Sequence, residues 1–174
     1  FTALKGQIYE NSVTVLRNTD TIIPLKDVHK PNIAAVSIGT NDKSVFQKHI
    51  EKYTRISHFP VSFDASQEIY NILRNHLKQY DIVITGVHLP DNQQNLKKTL
   101  SEQAKNFIEQ IAITNKTILA LFGKPGKLRV VSHLSSLESL LVGYDNSFLA
   151  QKKTAEAILG GVRVNGVLSA SLDS

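Results

Sequence analysis

The loop that follows Asp81 to Val87 (DIVITGV) reads His88-Leu89-Pro90-Asp91-Asn92 and offers an imidazole and a carboxylate within four residues. These types can hydrogen-bond a ligand or move a proton, although loops are also polar simply because water solvates them. No glutamate follows before Glu102, which belongs to the next helix. The six histidines, His29, His49, His58, His76, His88 and His133, are far apart, and without an HExxH pair they form no metal pattern. His49 and His76 fall on the apolar faces of helical stretches, where packing is the expected role.

Other motifs lead to chemistry less well. Gly123-Lys124-Pro125-Gly126-Lys127-Leu128 follows a strand-like run, as a phosphate loop does. It has too few residues between its glycines, and Leu128 stands where a magnesium-binding Ser or Thr is required. No Gly-x-Ser-x-Gly elbow occurs, so Ser132, Ser135 and Ser136 read as loop or cap residues. Asn115-Lys116-Thr117 is formally a glycosylation sequon just ahead of a buried strand. The net charge of +5 is spread along the chain, and the tight basic group Lys124, Lys127 and Arg129 lacks the stacking aromatics of a nucleic-acid surface. With no cysteine, disulfides and thiolate chemistry are excluded. No metal, cofactor or nucleic-acid partner is expected.

The elements that must position these residues alternate between strand-length apolar runs and helical periodicity. This is the pattern of a parallel sheet covered by helices. The strands are Asn32 to Ile38, Arg55 to Ser62, Asp81 to Val87, Lys116 to Phe122 and Leu140 to Val142; Pro60 suits an edge. Helical spacing joins Val45, Phe46, His49, Ile50 and Tyr53. A second set is Ile69, Ile72, Leu73, His76, Leu77 and Tyr80, with Asp64 and Gln67 as a capping box. The third set is Leu100, Ala104, Phe107, Ile108 and Ile111, and the last Phe148, Ala155, Ile158 and Leu159, stopped by Gly160-Gly161. Thr2 to Asn11 reads as helical, with Val13 to Leu16 and Thr21 to Leu25 extended. The expected architecture is one α/β domain over residues 1–174, a three-layer α/β/α sandwich with a mostly parallel sheet. Ligands of such sheets bind beyond the carboxyl ends of the strands, at the loops after Ile38, Val87, Phe122 and Tyr144. No apolar run approaches the roughly 20 residues that cross a bilayer.

Several motifs occur in the order of one known family. Leu16-Arg17-Asn18 is followed by Ile23-Pro24-Leu25, and Leu121-Phe122-Gly123-Lys124-Pro125 ends a strand. The stretch Ser139 to Leu172 runs strand, turn, helix, Gly-Gly and closing extended segment. Together these resemble the C-terminal α/β domain of glycoside hydrolase family 3. Two positions depart: Lys124 stands where the family usually has Asn, and Ser169 where it commonly has Pro.

The resemblance implies a fragment of a larger enzyme whose preceding (β/α)₈ barrel is not in this chain. Family 3 enzymes are retaining glycosidases that need a nucleophilic carboxylate and a group to protonate the leaving oxygen. The nucleophilic Asp belongs to the barrel, and the β-glucosidase branch supplies an acid/base Glu from the second domain. The β-N-acetylhexosaminidase branch uses a His and Asp pair on a barrel loop. With no Glu between His88 and Glu102, which belongs to the next helix, the resemblance favours the hexosaminidase branch, with no catalytic residue in this chain. It makes His88, Asp91 and Asn92 candidate substrate-binding residues at the rim of the sugar site. The implied partners are the barrel and a carbohydrate, and the implied setting is a bacterial periplasmic or extracellular enzyme. The alternatives are a free-standing flavodoxin-like binding module and a purely structural scaffold.

Overall fold

The aliphatic and β-branched runs line up side by side in one sheet. A computed structural model describes residues 7–9, 13–18, 23–25, 31–89, 100–123, 139–143 and 147–160. Its strands are β1 (Gln7–Tyr9), β2 (Val13–Asn18), β3 (Ile33–Ile38), β4 (Ile56–Val61), β5 (Ile82–His88), β6 (Lys116–Phe122) and β7 (Ser139–Gly143). The helices are α1 (Val45–Glu51), α2 (Gln67–Leu77), α3 (Glu102–Thr114) and α4 (Phe148–Leu159).

The sheet order is β1-β2-β7-β6-β5-β3-β4, parallel from β7 to β4 and antiparallel where β2 joins β7 and β1 joins β2. The parallel part has the doubly wound order seen in flavodoxin-like sheets, with its switch between β3 and β5. All of β3 and β5, and β6 beyond Lys116, are buried, because helices cover both faces. One core joins Ala34, Val36, Val83 and Leu119 to α2 and α3. The other joins Ile33, Ile84, Ile118 and Phe122 to α1 and α4. The three-layer α/β/α sandwich follows from these two cores.

Each helix starts at a serine. The hydroxyls of Ser44, Ser66, Ser101 and Ser147 accept hydrogen bonds from the backbone N–H of Gln47, Ile69, Ala104 and Ala150, satisfying a donor that the helix itself cannot. α4 closes on Gly160 at φ 81°, where glycine avoids the left-handed penalty.

The structure corrects several expectations. Gln7–Tyr9, read as part of a helix, pairs in register with Val13–Val15; residues 2–6, 10 and 11 of that reading lie outside the described residues. On α2 the buried stripe is Tyr70, Leu73 and Leu77, leaving Ile69 and Ile72 at 50% and 63% exposure. Leu73 and Leu77 belong to both stripes, and Tyr70 decides between them by packing on Phe107 of α3, ring centroids 5.0 Å apart. The α2 cap is Ser66, and Asp64 instead accepts from Ser62 Oγ at 2.6 Å. His76 is exposed and packs edge-on against Phe59 at 5.5 Å. Phe148 is exposed rather than part of the inward face of α4.

The opening motif has a local cause. Asn18 Nδ2 donates to the Ile23 carbonyl at 2.8 Å, and the Ile23 N–H donates to Asn18 Oδ1 at 2.9 Å. The Leu25 N–H then donates to the Ile158 carbonyl at 2.8 Å, so the Ile23-Pro24-Leu25 tripeptide, with a cis Ile23–Pro24 bond, is tied to α4.

Candidate functional site at the carboxyl edge of the sheet

The strand ends converge through glycines and aromatic rings. Hydrogen bonds continue past the strands: Gly39 N–H donates to the Val61 carbonyl (2.8 Å), Leu89 to Phe122 (2.8 Å) and Gly123 to Gly143 (3.2 Å). At the switch between β3 and β5, a Cβ on Gly39 would sit 2.7 Å from the His88 carbonyl oxygen. Gly39 also has φ 103°, a conformation that side-chain-bearing residues rarely adopt.

Three rings lie across the α1/α4 face of this edge. The His88 ring stacks on Phe122, centroids 5.0 Å apart and planes 14° off parallel; Phe122 meets Phe46 edge-on at 5.2 Å. Glycines make the space beneath them. A Cβ at Gly86 would meet Phe46 at 3.0 Å, and one at Gly143 would meet Phe122 at 3.0 Å.

Polar ties fix the helices that leave the edge. Ser37 and Ser44 share a hydrogen bond at 2.9 Å, joining β3 to the cap of α1. Gln47 Oε1 accepts from the Ser44 N–H while its Nε2 donates to the Ala35 carbonyl at 2.8 Å. The Phe46 N–H donates to Gln151 Oε1 at 3.0 Å, which lets a buried glutamine of α4 satisfy the first turn of α1.

Of the sequence candidates, His88 ends β5 and is 4% exposed, so its ring is packed into the edge that carries the following loop. Asp91 and Asn92 lie outside the described residues, as do His29, His133, the three loop serines and residues 124–129. Glu102 heads α3 and pairs with Lys105 at 3.2 Å, while Asp64 is held by Ser62. Among the described residues no group of three His, Asp or Glu could hold a metal ion. The sequon asparagine is spent structurally: Asn115 Nδ2 donates to the carbonyls of Leu77 and Tyr80 at 3.1 and 2.9 Å, and Thr117 is buried with its hydroxyl donating to Ile111. Sequence reasoning gave no site role to Phe46, which it placed on a helix face, or to Gly86, Gly143 and Gln151. Only the Phe-Gly and strand-Gly junctions hinted that rings and backbone approach closely here.

His49 is buried between α1 and α4, against the ring of Phe148 at 5.5 Å. Burial and the charges of Lys52 and Lys152 hold its pKa below the ordinary histidine value, against an opposing pull from Glu156. His58 is lowered by burial and by Lys43, while Glu51, 3.5 Å from its Nε2, opposes the shift.

No protein-family model matches the sequence, and no curated protein matches it significantly. Solved structures match the fold. A glycoside hydrolase family 3 β-N-acetylglucosaminidase from Paenibacillus sp. str. FPU-7 aligns with TM-score 0.67 and 15% identity, over 94% of this chain and 31% of its own. A β-glucosidase from Listeria innocua in complex with glucose gives TM-score 0.69 and 14% identity over 87% of this chain and 24% of that one. A family 3 exo-β-xylosidase gives 0.61 and 13% over 86% and 22%. The chain therefore has the fold of a domain found within glycosidases, and it spans less than a third of the length of each.

Proposed function

We propose that this chain is the accessory α/β domain of a family 3 glycoside hydrolase of the β-N-acetylhexosaminidase branch, working against a (β/α)₈ barrel of the same polypeptide. The observation that supports an accessory domain is one of proportion: 94% of the chain aligns with a family 3 β-N-acetylglucosaminidase over 31% of that protein's length, and 87% aligns with a β-glucosidase over 24% of its length. A retaining glycosidase needs a nucleophile and an acid/base group, and in this reading both come from the barrel. The first carboxylate after His88 and Asp91 that a β-glucosidase-like plan could use, Glu102, lies in the first turn of α3, where its exposed side chain pairs with Lys105 at 3.2 Å.

In this reading the loop leaving His88 reaches the sugar. Its Asp91 and Asn92 hydrogen-bond substrate hydroxyls, and His88, stacked on Phe122, is the positioning residue that fixes where the loop starts. The substrate is a carbohydrate bearing an N-acetylglucosamine unit, and the setting is a bacterial periplasm or cell exterior. The test is Asp91→Ala and Asn92→Ala in the full-length enzyme. A several-fold rise in KM with kcat largely kept is expected, because these contacts would bind ground and transition states alike. Unchanged kinetics in both variants would reduce the domain to a scaffold.

A further inference from the structure

The outer surface of α1 and α4 combines exposed apolar side chains with charge of one sign. The two helices lie side by side over one face of the sheet, joined by the core beneath them and by the Phe46–Gln151 hydrogen bond. On α4, Leu149, Lys152, Lys153 and Glu156 recur at helical spacing as its outward stripe, with Phe148 one turn before Lys152. Phe148 is 62% exposed, Leu149 52%, and Tyr53, one turn beyond His49, 48%. His49 links the helices through its ring contact with Phe148, and the charges of Lys52 on α1 and Lys152 on α4 both reach it. Apolar knobs and ammonium groups therefore share one surface.

The lysines here outnumber the carboxylates that could neutralise them. α1 and α4 carry two carboxylates. Glu51 is paired with Lys43 at 3.4 Å and lies 3.5 Å from His58, and Glu156 is paired with Lys153 at 3.6 Å. Lys48, Lys52 and Lys152 form no ion pair among the described residues. Three uncompensated ammonium groups thus stand beside Phe148 and Leu149.

This combination selects among possible occupants. Lysine is depleted from protein–protein interfaces, which argues against a protein covering the face. A single-stranded nucleic acid needs ring faces on which successive bases stack, whereas Leu149 has none and Phe148 already meets His49. An anionic bilayer asks for both features present: apolar side chains that enter the headgroup boundary, and lysines whose flexible stems reach lipid phosphates. We propose that the α1/α4 face is a peripheral docking surface for an anionic phospholipid membrane. Phe148, Leu149 and Tyr53 enter the headgroup layer, and Lys48, Lys52 and Lys152 pair with lipid phosphates.

Co-sedimentation of the 174-residue chain with vesicles tests this. Binding is expected to vesicles of equal parts phosphatidylglycerol and phosphatidylcholine, and should fall about ten-fold or more on phosphatidylcholine alone. The combined Lys48→Gln, Lys52→Gln and Lys152→Gln variant should also lose about ten-fold or more. Lys78→Gln, Lys105→Gln and Lys116→Gln together, off this face and equal in net charge, should bind like the native chain. Phe148→Ser with Leu149→Ser, at exposed positions, should weaken binding several-fold, with unchanged circular dichroism spectra throughout. A native chain that ignores the anionic vesicles would overturn the proposal, as would equal losses in the two triple variants or no loss in the Phe148/Leu149 variant. Tighter binding to single-stranded oligothymidylate than to the vesicles would assign the face to nucleic acid and overturn it as well.

Discussion

Gly39 and His88 meet backbone to backbone at the point where the sheet reverses its winding. The Gly39 Cα lies so near the His88 carbonyl that a Cβ there would stand 2.7 Å from the oxygen. In doubly wound sheets the crevice at this point usually holds the ligand. Here the β3 and β5 ends close upon each other, and Gly39 ties across to β4 through Val61. A ligand on this edge is then met by the loops that spring from it.

Replacing Gly39 with alanine combines this clash with a φ of 103°. Neither backbone can retreat without disturbing the β3–β5 ladder. Gly39→Ala is expected to lower unfolding free energy by about 2 kcal/mol or more, read by urea denaturation. A loss below a few tenths of a kcal/mol would mean that the close approach is absent.

Asn18 and Ile23 exchange two hydrogen bonds, and Ile23 is buried at 1% exposure. Asn18→Ala removes both partners of a buried backbone unit. The expected cost is about 1–3 kcal/mol in the same measurement. A near-neutral result would show that water or another group serves Ile23 as well.

Tyr70 runs the other way. Its ring packs on Phe107, but its buried hydroxyl has no hydrogen-bond partner among the described residues, and burial together with Asp64 pushes its pKa up to about 12. Tyr70→Phe keeps the ring and deletes an unsatisfied polar atom. It should leave stability unchanged or raise it by about 1 kcal/mol. A loss of stability would mean that the hydroxyl makes a bond.

The histidines make stability depend on pH. In the folded chain His49 and His58 both bind a proton less readily than the reference value of 6.5, chiefly because they are buried. The unfolded chain therefore takes up protons first as pH falls below that value, and the slope of stability against pH is positive there. The melting temperature should drop between pH 7.5 and 5.5, and His49→Gln with His58→Gln should flatten that drop. An equal slope in the double variant would assign the effect to other groups.

Much of this molecule was legible before its structure. The runs NIAAVSI, DIVITGV and KTILALF became β3, β5 and β6 because sequences buried on both faces need no alternation. Leu100, Ala104, Phe107, Ile108 and Ile111 are buried as their spacing implies, and Pro60 marks an edge strand as expected. α2 was misread because two apolar stripes share Leu73 and Leu77, and only Phe107 of α3, distant in sequence, selects Tyr70 over Ile69 and Ile72. Gln7–Tyr9 is a strand because β2 offers it a ladder, which three residues cannot announce alone. At the candidate site His88 was read as a loop residue, whereas it closes β5 with its ring buried. Its stacking depends on Phe122, and on Gly86 and Gly143 leaving room for the rings, which are contacts among three strands.

The central claim is that this domain serves a glycosidase whose reacting carboxylate lies elsewhere. The most direct measurement is hydrolysis of a chromogenic N-acetylglucosaminide by the purified 174-residue chain, beside the full-length enzyme under the same conditions. The account predicts release at the uncatalysed rate from the chain alone and rapid turnover from the full-length enzyme. Enzyme-like turnover by the chain alone would contradict it.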